Sequence, residues 1–217
     1  FCMCGIVGYV GARSAQQVLL DGLEKLEYRG YDSAGVALAE QDGIRVIKSK
    51  GRLAALRGRL EALALPESRC GIGHTRWATH GIPNDVNAHP HRQGRVTLVH
   101  NGIIENYRAL RERLETEGYR FLTQTDTEIA AALLDHHLKL HDDPVAAIHA
   151  ATAEMEGAYG FCMLLEGEPD TVYGIRRGSP LIAARDEEGC YIASDVPAII
   201  EYTRRYYLLE EEEVVAA

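Results

Sequence analysis

Ala34-Gly35-Val36-Ala37-Leu38-Ala39 and Ile44-Arg45-Val46-Ile47-Lys48, separated by Glu40-Gln41-Asp42-Gly43, read as two short β-type runs around a tight turn. Asp-Gly between apolar runs is a strong hairpin signal, because both residue types tolerate the positive φ that such a turn demands. Upstream, Gly5-Ile6-Val7-Gly8-Tyr9-Val10 is another short apolar run. Ser14 then precedes Val18, Leu19, Leu23 and Leu26 at helical spacing, which gives strand, N-cap and helix, with Gly30 as the stop. Downstream, Leu53, Leu56, Leu60 and Leu63 before Pro66 predict a helix over 52–64. Strands are expected at 70–75 and 95–100, and helices at 105–117, 126–139 and 143–156. The chain closes on strand material, with Glu210 to Glu213 as a solvated strand end. This order contains no βαβ repetition, and it predicts an α+β sandwich with helices over antiparallel sheets.

The chain has 217 residues, 46% hydrophobic and 25% charged, the composition of an ordinary globular protein, and one large domain is the default at this length. A formal charge of −9 argues against nucleic acid or an anionic membrane as the main partner. No stretch approaches the ~20 apolar residues of a membrane span. The five cysteines, at 2, 4, 70, 162 and 190, are odd in number and contain no CxxC pair, which points to a reducing, cytoplasmic setting. Cys70, Cys162 and Cys190 lie in apolar runs and are expected in the core. Nine histidines raise the question of a metal, but no HExxH or zinc-type Cys/His spacing is present, so neither metal nor cofactor is expected.

Four clusters carry groups suited to chemistry. Cys4 places a thiol at the edge of a strand; with a free α-amino group beside it, the amine would be a well-matched base, since the ordinary values are ~8.5 for the thiol and about 7.7–8.0 for the amine. The competing reading is a small buried hydrophobe. Gly73-His74-Thr75-Arg76-Trp77-Ala78-Thr79-His80-Gly81 runs off a strand into a long Gly-, Pro-, Asn- and His-rich loop, and Arg76 there could clamp a carboxylate. Equally, Arg76 could form a surface ion pair and Trp77 fill a core gap. In His100-Asn101-Gly102, a side-chain amide and a glycine N–H can converge on an oxyanion, although Asn-Gly is also a common hairpin turn. Thr125-Asp126-Thr127-Glu128 precedes an apolar helix as an N-cap segment, and Asp126 could still offer an oxygen to a substrate ammonium.

The set and its order resemble the class II glutamine amidotransferases, which are N-terminal nucleophile hydrolases. The motifs are Cys4-Gly5-Ile6-Val7-Gly8, Tyr28-Arg29-Gly30-Tyr31-Asp32-Ser33-Ala34-Gly35, His74 to Gly81, Asn87-Ala88-His89-Pro90-His91, Val99-His100-Asn101-Gly102, Thr125-Asp126-Thr127-Glu128 and Gly157-Ala158-Tyr159-Gly160. Within that class they are similar to the glutaminase domain of the glutamine–fructose-6-phosphate aminotransferase family, from Cys4 to about residue 215. The resemblance implies a four-layer αββα sandwich of antiparallel sheets. It also implies hydrolysis of the L-glutamine side-chain amide through a Cys4 thioester, releasing ammonia, with Asn101 and Gly102 as the oxyanion hole. Arg76 and Asp126 would bind the glutamine α-carboxylate and α-ammonium, Trp77, Thr79 and His80 would belong to a closing loop, and Arg29 would support the site. In the family, a C-terminal isomerase domain binds fructose 6-phosphate, makes glucosamine 6-phosphate and is expected to form the homodimer. This sequence stops short of that domain.

One departure concerns the base. Phe1-Cys2-Met3 precede Cys4, so the adjacent nitrogen sits in a peptide bond. Met3 reads as the natural start, Phe1-Cys2 as a leftover ahead of it, and 4–217 as the glutaminase domain. The alternatives are the glutaminase part of an amidophosphoribosyltransferase, a papain-like Cys–His peptidase for which none of the nine histidines has a distinctive context, and a blocked form that binds glutamine without turning it over.

Overall fold

A computed structural model describes residues 4–29, 32–77 and 84–217. Strand β1 (Gly5–Gly11) leads into helix α1 (Ala15–Leu26), whose N-cap Ser14 accepts a hydrogen bond from Gln17 N. The helix gives way to a single 3-10 turn at Glu27–Arg29, and the stop expected at Gly30 lies outside the described residues. The hairpin follows as β2 (Ser33–Glu40) and β3 (Gly43–Lys50). Glu40 pairs with Gly43, so the two-residue loop is Gln41-Asp42, one position earlier than Asp42-Gly43. Gly43 is already a ladder residue and adopts φ +134°, a value that a side chain would disfavour.

Helix α2 (Leu53–Leu63), β4 (Cys70–Arg76), the short β5 (His91–Gln93) and β6 (Val96–Ile104) come next. Helices α3 (Tyr107–Thr116), α4 (Asp126–Leu138) and α5 (Pro144–Ala153) follow. The chain ends in β7 (Gly157–Leu165), β8 (Tyr173–Arg177), β9 (Ile182–Arg185), β10 (Gly189–Ala193), β11 (Tyr206–Leu208) and β12 (Val214–Ala216). Strand β6 runs past its expected end at residue 100, because Asn101 to Ile104 keep pairing with Gly160 to Gly157 of β7. Asn101-Gly102 is therefore strand interior and not a hairpin turn.

The strands form a seven-stranded sheet, β11-β9-β10-β1-β4-β2-β3, and a five-stranded sheet, β12-β8-β7-β6-β5, with antiparallel ladders throughout the named strands. Period-two alternation makes each sheet two-faced. On β1, Val7 and Tyr9 pack with Leu19 and Leu23 of α1 and Leu56 and Leu60 of α2. Ile6, one residue before Val7, faces the other way and joins Ile72, Val99, Cys162, Leu164 and Ile192 between the sheets. Helices α3 to α5 cover the far face of the second sheet through Leu110, Ile129, Leu133 and Ile148 against Leu98, Phe161 and Met163. The result is the four-layer αββα sandwich that the family resemblance implies. Each fully buried Leu, Ile or Phe contributes about 1.5–3 kcal/mol through removal from water.

Two smaller expectations are corrected. Cys70 and Cys162 are buried in the layer between the sheets, where burial pushes the Cys70 thiol up to about 12 and the Cys162 thiol higher still, but Cys190 is only half-buried on β10. Glu210 to Glu213 are largely exposed, as expected, but form a turn between β11 and β12 and not a strand end, with Glu211 and Glu212 held by Arg176 and Arg177 of β8. Among the described residues, no helix is long and apolar enough to cross a membrane.

Candidate active site

Antiparallel pairing of β1 with β4 sets Gly5 opposite Thr75, which brings Cys4 beside Arg76 and Trp77 although more than seventy residues separate them. The half-buried Cys4 Sγ accepts a hydrogen bond from Trp77 N at 3.2 Å and lies 3.7 Å from the Trp77 carbonyl, toward which it donates. Burial pushes this thiol up; the Trp77 N–H and the Arg76 guanidinium oppose that, while Asp32 adds to it. Such a thiol needs a local base to become a nucleophile at neutral pH. The Trp77 side chain is 42% exposed, so it does not fill a core gap.

Arg76 closes β4 opposite Ser33 of β2 and is only 4% exposed, which rules out a surface ion pair. Burial pulls its pKa down, against the opposing influence of Asp32, the Cys4 thiol and Asp126. A guanidinium stays protonated under such conditions, so a fixed positive charge lies close to the thiol.

Asn101 comes from the other sheet. Its Nδ2 donates to the Cys4 carbonyl at 2.7 Å, and its Oδ1 is 3.0 Å from His74 Nε2. Gly102, next on β6, is exposed and holds φ +131°; a Cβ there would come within 2.0 Å of the Ala158 carbonyl oxygen, so no other residue fits. Thr125, not Asp126, is the N-cap of α4: its side chain accepts from Glu128 N, while Asp126 is the first helical residue. Buried Asp126 Oδ2 accepts from Ile104 N at 2.8 Å and ties the start of α4 to the end of β6. Cys4, Arg76, Trp77, Asn101, Gly102 and Asp126 thus gather at one end of the sandwich. Thr79, His80 and the Arg29 side chain lie outside the described residues.

The sequence reading missed a group of buried histidines behind this site. His74 of β4, His89, His91 and His100 are each 5% exposed or less. The His74 and His89 rings lie 4.2 Å apart, and those of His89 and His91 4.8 Å. Thr127 Oγ1 lies within hydrogen-bond distance of His89 Nε2 and His100 Nδ1, both at 3.1 Å, and Thr125 Oγ1 lies 3.2 Å from His91 Nε2. Only their nearness in sequence to Arg76 and Asn101 hinted at a shared role.

Burial lowers the pKa of His74 to about 3 and those of His89 and His91 well below their ordinary value, with neighbouring positive charge adding to the effect at His89 and His91. In the unfolded chain these rings titrate near ~6.5, so below that pH the unfolded state binds more protons than the folded one. Their stabilising contribution is present in full above that pH and is lost as pH falls toward the folded values, by up to about 1.4 kcal/mol per pH unit for each ring. The urea midpoint is expected to fall steadily from pH 7 to pH 5, before most carboxylates titrate. A flat midpoint over that interval would contradict neutral buried rings.

Comparison with known proteins gives consistent results. Residues 74–201 match the family described as glutamine amidotransferase domain. The chain is 50% identical over 98% of its length to the glutamine–fructose-6-phosphate aminotransferase (isomerizing) of Clostridium tetani strain Massachusetts / E88, and 51% identical over 98% to that of Clostridium perfringens strain 13 / Type A. It covers 35% of each, about a third of the length of these curated relatives. Among solved structures, the glutamine phosphoribosylpyrophosphate amidotransferase from B. subtilis, complexed with ADP and GMP, superposes with a TM-score of 0.85 at 25% identity, covering 98% of this chain and 47% of that one.

Proposed function

The chain belongs to the glutamine amidotransferase domain family, and on that premise we propose that residues 4–217 are a glutaminase domain that releases ammonia from L-glutamine at Cys4. The observation that carries the reading is the meeting of a thiol just ahead of β1, a buried guanidinium at the end of β4 and an amide donor from within β6. Cys4 Sγ attacks the glutamine side-chain carbonyl carbon as its proton passes to the Cys4 α-amine, present once Cys4 is the first residue. Asn101 Nδ2 and Gly102 N–H receive the charge that develops on the oxygen. The C–N bond then breaks, the leaving nitrogen takes the proton and departs as ammonia, and water opens the thioester to glutamate.

Arg76 holds the substrate α-carboxylate and Asp126 its α-ammonium, fixed charges that make a shorter carboxamide fall short of the thiol. Trp77, Thr79 and His80 cover the substrate, and Arg29 supports the site. No cofactor enters this sequence of steps. The relatives' activity extends the proposal: in a longer protein, a C-terminal isomerase domain binds fructose 6-phosphate and uses the ammonia to form glucosamine 6-phosphate. A homodimer contact through that domain and a cytoplasmic setting belong to the same proposal. The identity of about one half to those enzymes, against 25% to the phosphoribosylpyrophosphate enzyme, favours the amino-sugar reaction.

The test is glutamine-dependent ammonia release from protein whose first residue is Cys4, beside protein that retains Phe1-Cys2-Met3. Release from the first and not the second is expected, with peptides left uncut by both. Equal release would mean that another group deprotonates the thiol. Glutamine binding without ammonia from either form would instead support a binding domain.

A further inference from the structure

We infer that His74 is a positioning residue that decides which end of the Asn101 amide faces the nucleophile. His74 Nε2 lies 3.1 Å from the backbone carbonyl oxygen of His100 and 3.0 Å from the Asn101 side chain. A carbonyl oxygen can only accept, so Nε2 carries the ring proton and is a donor to both neighbours. The Asn101 atom facing it must therefore be the acceptor Oδ1, which leaves Nδ2, with two protons, toward Cys4. One of these protons goes to the Cys4 carbonyl at 2.7 Å, and the second is left for the oxyanion. Turned over, the same amide would set an oxygen against the Cys4 carbonyl and repel the developing negative charge.

The ring is itself held in place. On β4, His74 lies in register between Ile6 of β1 and Gly35 of β2. The His89 ring packs against it at a tilt of 41°, fixed by Thr127 Oγ1 at Nε2 and by the His100 N–H, which donates to Nδ1 at 3.5 Å. The segment that carries His89 crosses β2 so closely that a Cβ on Gly35 would come within 2.1 Å of the His89 carbonyl oxygen. Full burial and the nearby Arg76 charge keep the His74 ring neutral, with a single proton on Nε2. His74 touches no reacting atom and acts only through Asn101, so the inference rests on the glutaminase reading.

The experiment compares His74→Leu, which keeps bulk and loses the donor, with His74→Gln, whose amide nitrogen falls near the position of Nε2. The parent is the protein beginning at Cys4. Removal of an oxyanion donor costs about 10²–10³ in turnover, so a mis-set donor in His74→Leu should lower kcat by at least about 10-fold with KM changed less than about 3-fold. His74→Gln should recover most of kcat. In an Asn101→Ala background, His74→Leu should cost less than about 2-fold more, because the two residues act as one unit. Where the leucine variant does not fold, His74→Asn replaces it, being polar but one bond short of Asn101, and should lose kcat likewise. Unchanged kcat in a folded variant, no recovery by glutamine, or a full further loss in the Asn101→Ala background would overturn the inference. Failure of the glutaminase reading itself would show earlier, as an inactive parent.

Discussion

Cys4→Ala is expected to lower glutamine-dependent ammonia release by at least about 10⁴-fold, the scale on which loss of a nucleophile that works as one unit with its base is felt. The loss would be chemical and not structural. Cys4 stands just ahead of β1, its sulfur is held by the Trp77 backbone, and the first ladder pair, Gly5 with Thr75, lies beyond it. Alanine removes one atom from a half-buried position, so the thermal midpoint should stay near that of the parent. Arg76 and Asp126 remain in place, and glutamine should still bind by calorimetry. Cys4→Ser is a sharper probe, because a hydroxyl keeps the shape but resists deprotonation by an amine; it should bind glutamine and turn over little of it. Ammonia release within ten-fold of the parent by the alanine variant would remove Cys4 from the mechanism.

Asn101→Ala comes next, with an expected loss of about 10²–10³ in kcat and little change in KM. The donor matters when charge reaches the oxygen, not when glutamine first binds, and that separates kcat from KM. The side chain contributes one hydrogen bond to the Cys4 carbonyl and receives one from His74, whose Nε2 proton retains the His100 carbonyl after the change. A stability cost of about 1 kcal/mol is therefore expected, visible as a small shift of the urea midpoint. Asn101→Asp should lower kcat further, since a carboxylate in that place opposes the developing oxyanion. Equal rises in KM with kcat preserved would show that Asn101 serves binding instead.

Much of this arrangement was legible in residue order. Apolar runs of period two, the leucines of α1 and α2 and the Thr125 cap foretold most elements, because such signals act within a few residues and the chain obeys them locally. The hairpin shift to Gln41-Asp42 is an error of one residue, of the size that turn chemistry alone leaves open, whereas α4 starts at Asp126 where the periodicity puts it. Asn101-Gly102 is a different kind of miss. A local reading sees a turn, but nine residues of β7 run alongside β6 and hold the strand extended through it.

By itself, the sequence determined which residues form helix and strand, which face of each is apolar, and that a thiol, an arginine, an Asn-Gly pair and an acidic helix start recur in one order along the chain. Only the tertiary structure decided that they meet. Pairing of β1 with β4 carries Cys4 to Arg76; the stacking of two sheets through Ile6, Ile72 and Val99 lays β6 and Asn101 across them; and the bond from Ile104 N to Asp126 fixes α4 at the same end. The buried histidines became a network by that packing alone, since His74 and Thr127 lie far apart in sequence and share no local signal. The physical reason is one of range. Periodicity and capping are energies between near neighbours, whereas sheet order and layer packing are set by burial of whole faces, which no short window contains.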